Sequence, residues 1–349
     1  MLRVGIVGPG YMGLNHAIGW RDVPDAKVTA LMSRSGKGLD GKFTGIVGNV
    51  PEKPDAKPFE LDMTGVTATT NWDEFVASCD AVDICLPVRE HARAVNAAIS
   101  AGKHVLCEKP GAITLGNAQG MLASSRDTDT VCMLAHCMHF WPGWAEVEHI
   151  LPQCGKIHSA RLSRLAPPPA WGQEHFLNGD TTGGAQADLG FHDLILALRW
   201  FGVPNYVTAY GSRVHSSGNA LDDVTTVLQY EAGHHVTIET SWARTADPVS
   251  KFGFDARFEI RAERATITGG FVEGLKIYGL DPGPIVCPQL LGAETGWANQ
   301  LRYFAKCIEE GAQPVWGSME EGLQVTRLFD EAYHSARTGE RRHWGYVAP

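Results

Sequence analysis

The sequence predicts an α/β protein of two domains: a doubly wound parallel sheet, followed by an α+β domain with a mainly antiparallel, open sheet. A chain of 349 residues exceeds what one hydrophobic core usually organises. Near the start, short apolar runs alternate with helical patterns, which is typical of parallel strands covered on both faces. Later, strand-like runs follow one another directly, which favours antiparallel pairing. We therefore predict domains over residues 1–128 and 129–349.

The elements of the first domain follow from hydrophobic periodicity. Apolar runs predict strands at 3–7, 27–32, 81–86 and 103–107. Helical spacing predicts helices at 14–20, 72–77 and 90–101. Residues 36–58 are rich in Gly, Pro and Lys and have no clear period, so we interpret them as a loop.

The second domain is predicted to contain successive strands and three helices. Strand-like runs occur at 207–215, 224–230, 235–242, 258–262 and 275–278. A helix at about 184–201 ends at the stop signal Gly202 and Pro204. Two late helices are predicted at 297–310 and 319–336.

Composition and charge disfavour several classes of protein. Hydrophobic residues at 44% and charged residues at 20% are typical of globular proteins and not of disordered, collagenous or coiled-coil chains. The net charge is −9 and no long Lys/Arg run occurs, so we expect no nucleic-acid partner. The eight cysteines contain no CxxC pair and are interpreted as reduced core thiols. Because neither an apolar leader nor a run of about 18 apolar residues is found, we expect a cytoplasmic protein without membrane contact.

A glycine-rich turn joins the first strand to the first helix, with the sequence Gly8-Pro9-Gly10-Tyr11-Met12-Gly13. In this context it supplies bare backbone, N–H donors and the positive end of a helix dipole, which together suit a phosphate. A tight strand-to-helix turn without a ligand is the alternative. We interpret the turn as the phosphate site of a dinucleotide.

The end of the second strand indicates which dinucleotide is bound. An acid there would hold the ribose hydroxyls of NAD, whereas small polar and cationic side chains accommodate the 2′-phosphate of NADP. The chain has Ser33, Arg34 and Ser35, followed by Lys37, and no acid from residue 32 to 35. We therefore expect NADP as the cofactor, with NAD as the alternative. The other interpretation of these residues is a solvated loop in which Arg34 has no role in binding.

Two further motifs follow the third and fourth predicted strands. The third strand ends in Leu86-Pro87, with His91 four residues after the proline, and the fourth ends in Glu108-Lys109-Pro110. With the glycine turn, these motifs resemble the glucose-fructose oxidoreductase/inositol dehydrogenase/MocA (Gfo/Idh/MocA) family, and the resemblance spans nearly the whole chain. It implies a Rossmann domain in which these residues contribute to cofactor binding.

The resemblance also implies a catalytic group. Family members carry Gly-Gly and then Asp-x-x-x-His at the start of a helix, and this chain has Gly183-Gly184 followed by Asp188 and His192. A spacing of four places both side chains on one helical face. By resemblance, Lys109, Asp188 and His192 are catalytic and contact the substrate. An imidazole can move a proton, a carboxylate can orient the imidazole or the substrate hydroxyl, and an ammonium can stabilise an alkoxide. An ordinary helix start with a capping charge is the alternative for Asp188 and His192.

The chain departs from the family pattern at two positions near the substrate pocket. Many relatives have a second Asp three positions after the histidine, where this chain has Ile195, and Asp193 lies beside the histidine instead. The usual Asn after the proline is Val88. Neither departure removes a hydride-transfer group.

Aromatic residues at the opening of the second domain are candidates for substrate contact. Trp141, Trp171 and His175 suit the C–H faces of sugars, with core packing as the alternative; for Trp144 we expect core packing. The histidines do not indicate a metal site, because the pair at 234 and 235 is adjacent on a strand and faces opposite ways. We expect no metal.

Together these observations predict an NAD(P)-dependent dehydrogenase or reductase that transfers a hydride to or from a hydroxyl-bearing carbon of a sugar, cyclitol or related polyol. Three alternatives are an NAD-dependent redox glycosidase, against which Lys109 argues, a non-catalytic dinucleotide-sensing regulator, and a reductase of a small non-sugar carbonyl. Relatives pair subunits through the open sheet. Because an uncovered apolar sheet would aggregate, we expect a homodimer or homotetramer.

Overall fold

The computed structural model describes residues 1–43, 59–169, 173–246, 253–271, 273–280 and 295–344. The chain divides into two compact units, one formed by Met1–Cys137 with Gly296–Leu323 and the other by Met138–Thr295 with Gln324–Pro349. No helix in the described ranges has the length and apolar character needed to cross a membrane.

The described strands are β1 (Leu2–Val7), β2 (Ala26–Met32), β3 (Lys42–Phe43), β4 (Phe59–Glu60), β5 (Thr67–Thr69), β6 (Ala81–Ile84), β7 (His104–Glu108), β8 (Cys132–Ala135), β9 (Ile157–Leu165), β10 (Tyr206–Ser212), β11 (Asp223–Gln229), β12 (His235–Ser241), β13 (Asp255–Ala262), β14 (Thr266–Gly270), β15 (Lys276–Tyr278) and β16 (Arg342–His343). The α-helices are α1 (Tyr11–Arg21), α2 (Trp72–Ala77), α3 (Val88–Ser100), α4 (Leu115–Arg126), α5 (Ala145–Ile150), α6 (Gln173–Phe176), α7 (Gly179–Thr182), α8 (Phe191–Phe201), α9 (Gly296–Glu310) and α10 (Met319–Thr338). A π-helical turn, Gln186–Gly190, precedes α8.

The first unit confirms the predicted doubly wound sheet. Within the described residues, its parallel strands follow the order β5-β2-β1-β6-β7-β8. In this order the crevice that receives a dinucleotide lies where the strand order reverses, between β1 and β6. All of β6 and the last four residues of β1 are buried, which explains their continuous apolar runs. The predicted loop at 36–58 contains β3, and residues 44–58 of it lie outside the described ranges.

The first compact unit extends past the predicted domain boundary at residue 128. Strand β8 is hydrogen-bonded to β7 and completes the first sheet, so the first unit runs on to Cys137. Helix α9, which is distant in sequence, packs against α1, where the ring of Trp20 meets the edge of Phe304. Sequence position could not reveal this return of the chain.

The second unit contains an open sheet in the order β15-β14-β13-β9-β12-β11-β10-β16, as far as the described residues show. Strand β9, which the sequence analysis missed, lies in its middle and pairs parallel with β12, while the other pairings are antiparallel. Helix α8 packs on β9 and β12. The predicted helix at 184–201 is therefore present, but it begins as the π-helical turn.

The open face of this sheet is polar, contrary to the apolar face on which the oligomer prediction depended. In β13, Phe258 and Ile260 are buried while Arg257 and Arg261 are exposed. Across the sheet on this outer side, Arg161 forms an ion pair with Glu239. The face therefore needs no cover to avoid aggregation.

The described cysteines are free thiols, and all are buried except Cys85, which is half-buried. This agrees with their interpretation as core thiols. Cys287 lies outside the described residues.

Candidate active site

The glycine turn between β1 and α1 has the geometry of a phosphate cradle. Gly8 has a φ of +89°, and a Cβ there would lie 2.6 Å from the carbonyl oxygen of Cys85. A Cβ on Gly13 would lie 2.6 Å from the carbonyl oxygen of Gly8. Around Gly10, by contrast, no described atom lies within 4 Å of a Cβ. Gly8 and Gly13 thus close the turn, while Gly10 leaves open space before the N-terminus of α1.

That N-terminus has no side-chain cap. The first N–H groups of a helix lack partners within the helix and carry a partial positive charge, so they suit an anion. The open space at Gly10 and the uncapped helix start fit a dinucleotide pyrophosphate, which these backbone groups would hold.

The loop after β2 lies against this turn. Arg34, Ser35 and Lys37 are exposed, and the described residues offer no acidic ion-pair partner to Arg34 or Lys37. A Cβ on Gly38 would lie 2.9 Å from the carbonyl oxygen of Pro9, so the loop is in contact with the glycine turn. Ser33 and Ser35 approach each other through their hydroxyls at 3.3 Å.

His91 and Glu108 were predicted to contact the cofactor, but the structure buries both side chains. The His91 ring nitrogens lie 2.8 Å from the carbonyl oxygen of Pro110 and 2.6 Å from that of Leu86. Glu108 accepts the backbone N–H of Lys109 at 3.1 Å through Oε2. Both side chains face the protein interior and contact the loops after β6 and β7, including the Lys109–Pro110 segment; their contribution to cofactor binding stays a prediction.

A buried polar network that the sequence analysis missed lies beneath these loops. The His16 side chain on α1 is fully buried, with Nδ1 2.9 Å from both carboxyl oxygens of Asp83 and Nε2 3.0 Å from Oε1 of Glu108. Trp20 donates its indole N–H to Asp83 at 2.7 Å. The available signal was Asp83 itself, because a carboxyl group inside an otherwise apolar strand requires a partner.

His16, Asp83 and Cys85 bring three potential ligand atoms within 4.8 Å of one another in the described part of the chain. Hydrogen bonding accounts for this approach, since Asp83 is already bound by the His16 ring and the Trp20 indole. The expected absence of a metal stays a prediction.

In the second unit, the Gly-Gly pair shapes the approach to the predicted catalytic helix. Gly183 and Gly184 have φ values of +80° and +66°, and a Cβ on Gly184 would lie 2.8 Å from that of Ala220. Tyr333 donates its hydroxyl to the carbonyl oxygen of Gly183 at 2.5 Å. Glycine is thus required both by the left-handed backbone and by the close approach.

Asp188 lies in the π-helical turn and His192 in the first turn of α8. From Thr182 to Leu198 every residue is buried except these two, which are half-buried. A polar pair is therefore the accessible part of an otherwise buried segment. π-Helical turns of this kind occur frequently at functional sites.

Asp193, next to His192, is part of the framework of the second unit. It is buried and accepts two hydrogen bonds from Arg164 on β9, at 2.9 and 3.1 Å. Burial raises the pKa of Asp193, and the charge of Arg164 opposes that shift. The pair fixes α8 to the centre of the sheet.

The structure places the aromatic candidates for substrate contact in different environments. Trp141 is 3% exposed and packs edge-on against Phe271, which favours the core-packing alternative over contact with substrate. Trp144 is also buried, as predicted, between Phe258 and Phe271. His175 is half-buried and its ring lies against Phe176. Trp171 lies outside the described residues.

Comparisons with known proteins agree with this architecture. Residues 2–136 match the model of an oxidoreductase family with an NAD-binding Rossmann fold, and residues 152–268 match the Gfo/Idh/MocA C-terminal domain. The two matches together cover most of the chain.

Individual relatives are distant but align over nearly the full length. The chain is 24% identical to D-apiose dehydrogenase of Paraburkholderia graminis, over 96% of this chain and 87% of that protein. It is 25% identical to scyllo-inositol 2-dehydrogenase (NADP(+)) of Bacillus subtilis, over 100% and 99% respectively. A structure of levoglucosan dehydrogenase in complex with NADH and L-sorbose shares the fold with a TM-score of 0.81 at 20% identity, over 99% of both chains. The chain thus belongs to the Gfo/Idh/MocA family of NAD(P)-dependent oxidoreductases.

Proposed function

We propose that this enzyme transfers a hydride between a nicotinamide dinucleotide and the hydroxyl-bearing carbon of a sugar, cyclitol or related polyol. The observation that carries the proposal is the half-buried pair Asp188 and His192, which stands out from a buried segment of the second unit. The relatives described above are named as dehydrogenases of a sugar and a cyclitol, which supports the substrate class.

In this proposal the bound cofactor supplies the hydride acceptor for oxidation and the donor for reduction. During oxidation His192 takes the proton of the substrate hydroxyl, Lys109 stabilises the developing alkoxide, and Asp188 orients the hydroxyl and the imidazole. Reduction reverses these roles. Lys109 and His192 both carry groups able to move a proton, so both are expected to contribute to proton transfer.

We further propose that NADP(H) is preferred over NAD(H). Arg34 and Lys37 are exposed beside the glycine turn and have no acidic partner among the described residues, so both are available to a 2′-phosphate. No acid stands at 32–35 to bind the free ribose hydroxyls.

We further propose a cytoplasmic location and a homo-oligomeric assembly. We place the enzyme in the cytoplasm, which the buried free thiols support because such thiols persist in reducing compartments. We retain the homodimer or homotetramer expected from the family resemblance; since the open sheet face is polar, polar contacts such as those of Arg161 and Glu239 would form the interface.

The experiment that tests this function is turnover with a panel of pentoses, hexoses and inositols, using NADP⁺ and NAD⁺ separately. With the best substrate, Lys109→Ala and His192→Ala should each lower kcat by about 100-fold or more while cofactor affinity changes little. Lys306→Ala and His149→Ala are matched controls, because both side chains are exposed on helices outside the proposed site. Near-normal turnover of both catalytic variants would refute the assignment.

A further inference from the structure

The buried network around His16 connects three elements of the first unit. His16 is on α1, which begins at the glycine turn; Asp83 is on β6, and Glu108 is the last residue of β7. The side-chain amide of Gln300 on α9 lies beside the network, with its nitrogen 3.2 Å from Nε2 of His16; toward an imidazolium this amide can only accept, which requires its oxygen to face the ring. All of these side chains are nearly or fully buried, so each must find its partners within the protein.

The hydrogen-bond geometry favours a charged imidazole. Each ring nitrogen of His16 faces a carboxyl group, and both can be donors only when the ring is doubly protonated. Burial by itself lowers the pKa of His16, but the neighbouring Asp83 raises it, and the net pKa lies well above the ordinary value for histidine. The imidazolium therefore bridges two acids that would otherwise repel each other.

Glu108 uses its two oxygens for different partners. Oε1 is bound by His16, and Oε2 accepts the backbone N–H of Lys109. Beyond Lys109, the ring of His91 lies within hydrogen-bonding distance of the Pro110 carbonyl oxygen. The N–H of Lys109 is thus held by a buried carboxyl group. The Pro110 carbonyl oxygen lies against the buried His91 ring, whose pKa is lowered by burial and which, when neutral, donates to only one of the two carbonyl oxygens it faces.

We propose that His16 is a positioning residue for Lys109. Through its hydrogen bond to Glu108, it fixes the backbone from which the Lys109 side chain projects. Because His16 is on α1, the same bond holds that backbone at a fixed position relative to the helix that begins at the glycine turn. The catalytic role of Lys109 in this inference rests on the proposed function, whereas the hydrogen-bond chain from His16 to Lys109 does not depend on it. Catalytic groups need such support, because a misplacement of about 1 Å can cost about 100-fold in rate.

The first test measures the hydrogen-bond chain without any substrate. Amide hydrogen exchange, read by mass spectrometry in peptides that span Lys109, should quicken by about tenfold in Glu108→Ala and to a smaller extent in Glu108→Gln, which keeps one oxygen acceptor. Peptides from β1 should exchange as in the unmodified protein. Cys85→Ala is the matched control: its Sγ lies 3.5 Å from Nδ1 of His16, but it contacts neither Glu108 nor the N–H of Lys109 in the described network.

The second test measures the consequence for turnover. His16→Gln and Glu108→Gln should lower kcat by about 10- to 100-fold while the KM for the cofactor stays within about twofold, and Cys85→Ala should change neither. If His16→Gln fails to fold, Glu108→Gln, which preserves side-chain shape, carries the test. In a Lys109→Ala background, Glu108→Gln should cause no further loss of kcat.

Distinct results separate this inference from the proposed function. Unchanged exchange at Lys109 in Glu108→Ala would overturn the positioning role, and so would an equal loss of kcat from Glu108→Gln with and without Lys109. Stoichiometric zinc in the purified protein that is lost in Cys85→Ala would also overturn it, because His16 would then be a ligand. Near-normal turnover of Lys109→Ala combined with the predicted exchange result would refute only the proposed catalytic site.

Discussion

Substituting Gly10 and Gly13 separately distinguishes a phosphate-binding turn from a turn that merely needs glycine for packing. A Cβ on Gly13 would lie 2.6 Å from the Gly8 carbonyl oxygen, well inside ordinary contact, so α1 and the turn must move apart. Overpacking of this kind costs about 1 to 3 kcal/mol of stability. A Cβ on Gly10 meets no described atom within 4 Å, and its φ of −95° is open to alanine. Loss of glycine at this N-cap should therefore cost less than about 1 kcal/mol.

Cofactor binding, in contrast, should be weakened more by Gly10→Ala than by Gly13→Ala. An alanine methyl at position 10 would occupy the space through which a phosphate reaches the N–H groups of α1. Losing one charge-assisted hydrogen bond, worth about 1.5 to 3 kcal/mol, would weaken NADPH binding by about 10- to 150-fold. Thermal unfolding without cofactor and fluorescence titration with NADPH measure the two effects independently. If Gly10→Ala binds NADPH as tightly as the unmodified protein, the turn does not hold the phosphate; if Gly13→Ala is fully stable, the close approach has been misjudged.

Three further predictions concern selectivity, stability and assembly. Arg34→Ala should weaken the binding of NADP(H) by about 10- to 150-fold in equilibrium titration and leave the binding of NAD(H) nearly unchanged. The control Arg93→Ala, on α3, should change neither affinity. Equal affinity of the unmodified protein for both cofactors would contradict this prediction. Asp193→Ala leaves Arg164 buried without its partner and should lower the free energy of unfolding by about 3 to 5 kcal/mol. As a control, Glu239→Ala breaks the outer-face pair with Arg161 and should lower it by about 1 kcal/mol or less. A small effect of Asp193→Ala in denaturant titration would show that the buried pair is dispensable. Multi-angle light scattering at micromolar concentration should give a dimer or tetramer, and a monomer would remove the oligomer proposal.

Local signals predicted most of the first unit because each depends on nearby residues. The apolar run of β1, the glycines of the turn and the helical spacing of α3 are short-range patterns, and the structure contains all three. The Gly183-Gly184 pair and the spacing of Asp188 and His192 likewise predicted a helix start, although the π-helical form of that start had no recognisable pattern.

The differences between prediction and structure arose where the outcome depends on contacts between distant segments. Residue type alone leaves Trp141 equally suited to a sugar or to a core, and its packing against Phe271, far away in sequence, favours the core. The polar character of the open sheet face depends on the register between β9, β12 and β13, which brings Arg161 beside Glu239.

The sequence by itself determined the fold class, the glycine turn and the family, because glycine conformations, strand periodicity and short motifs are encoded locally. The tertiary structure alone decided that β8 and α9 belong to the first unit, that Asp193 pairs with Arg164, and that His16 joins Asp83 to Glu108. The physical reason is that a buried polar group must find its partner wherever the fold brings one, and the separation of 92 residues between His16 and Glu108 carries no local trace of that pairing.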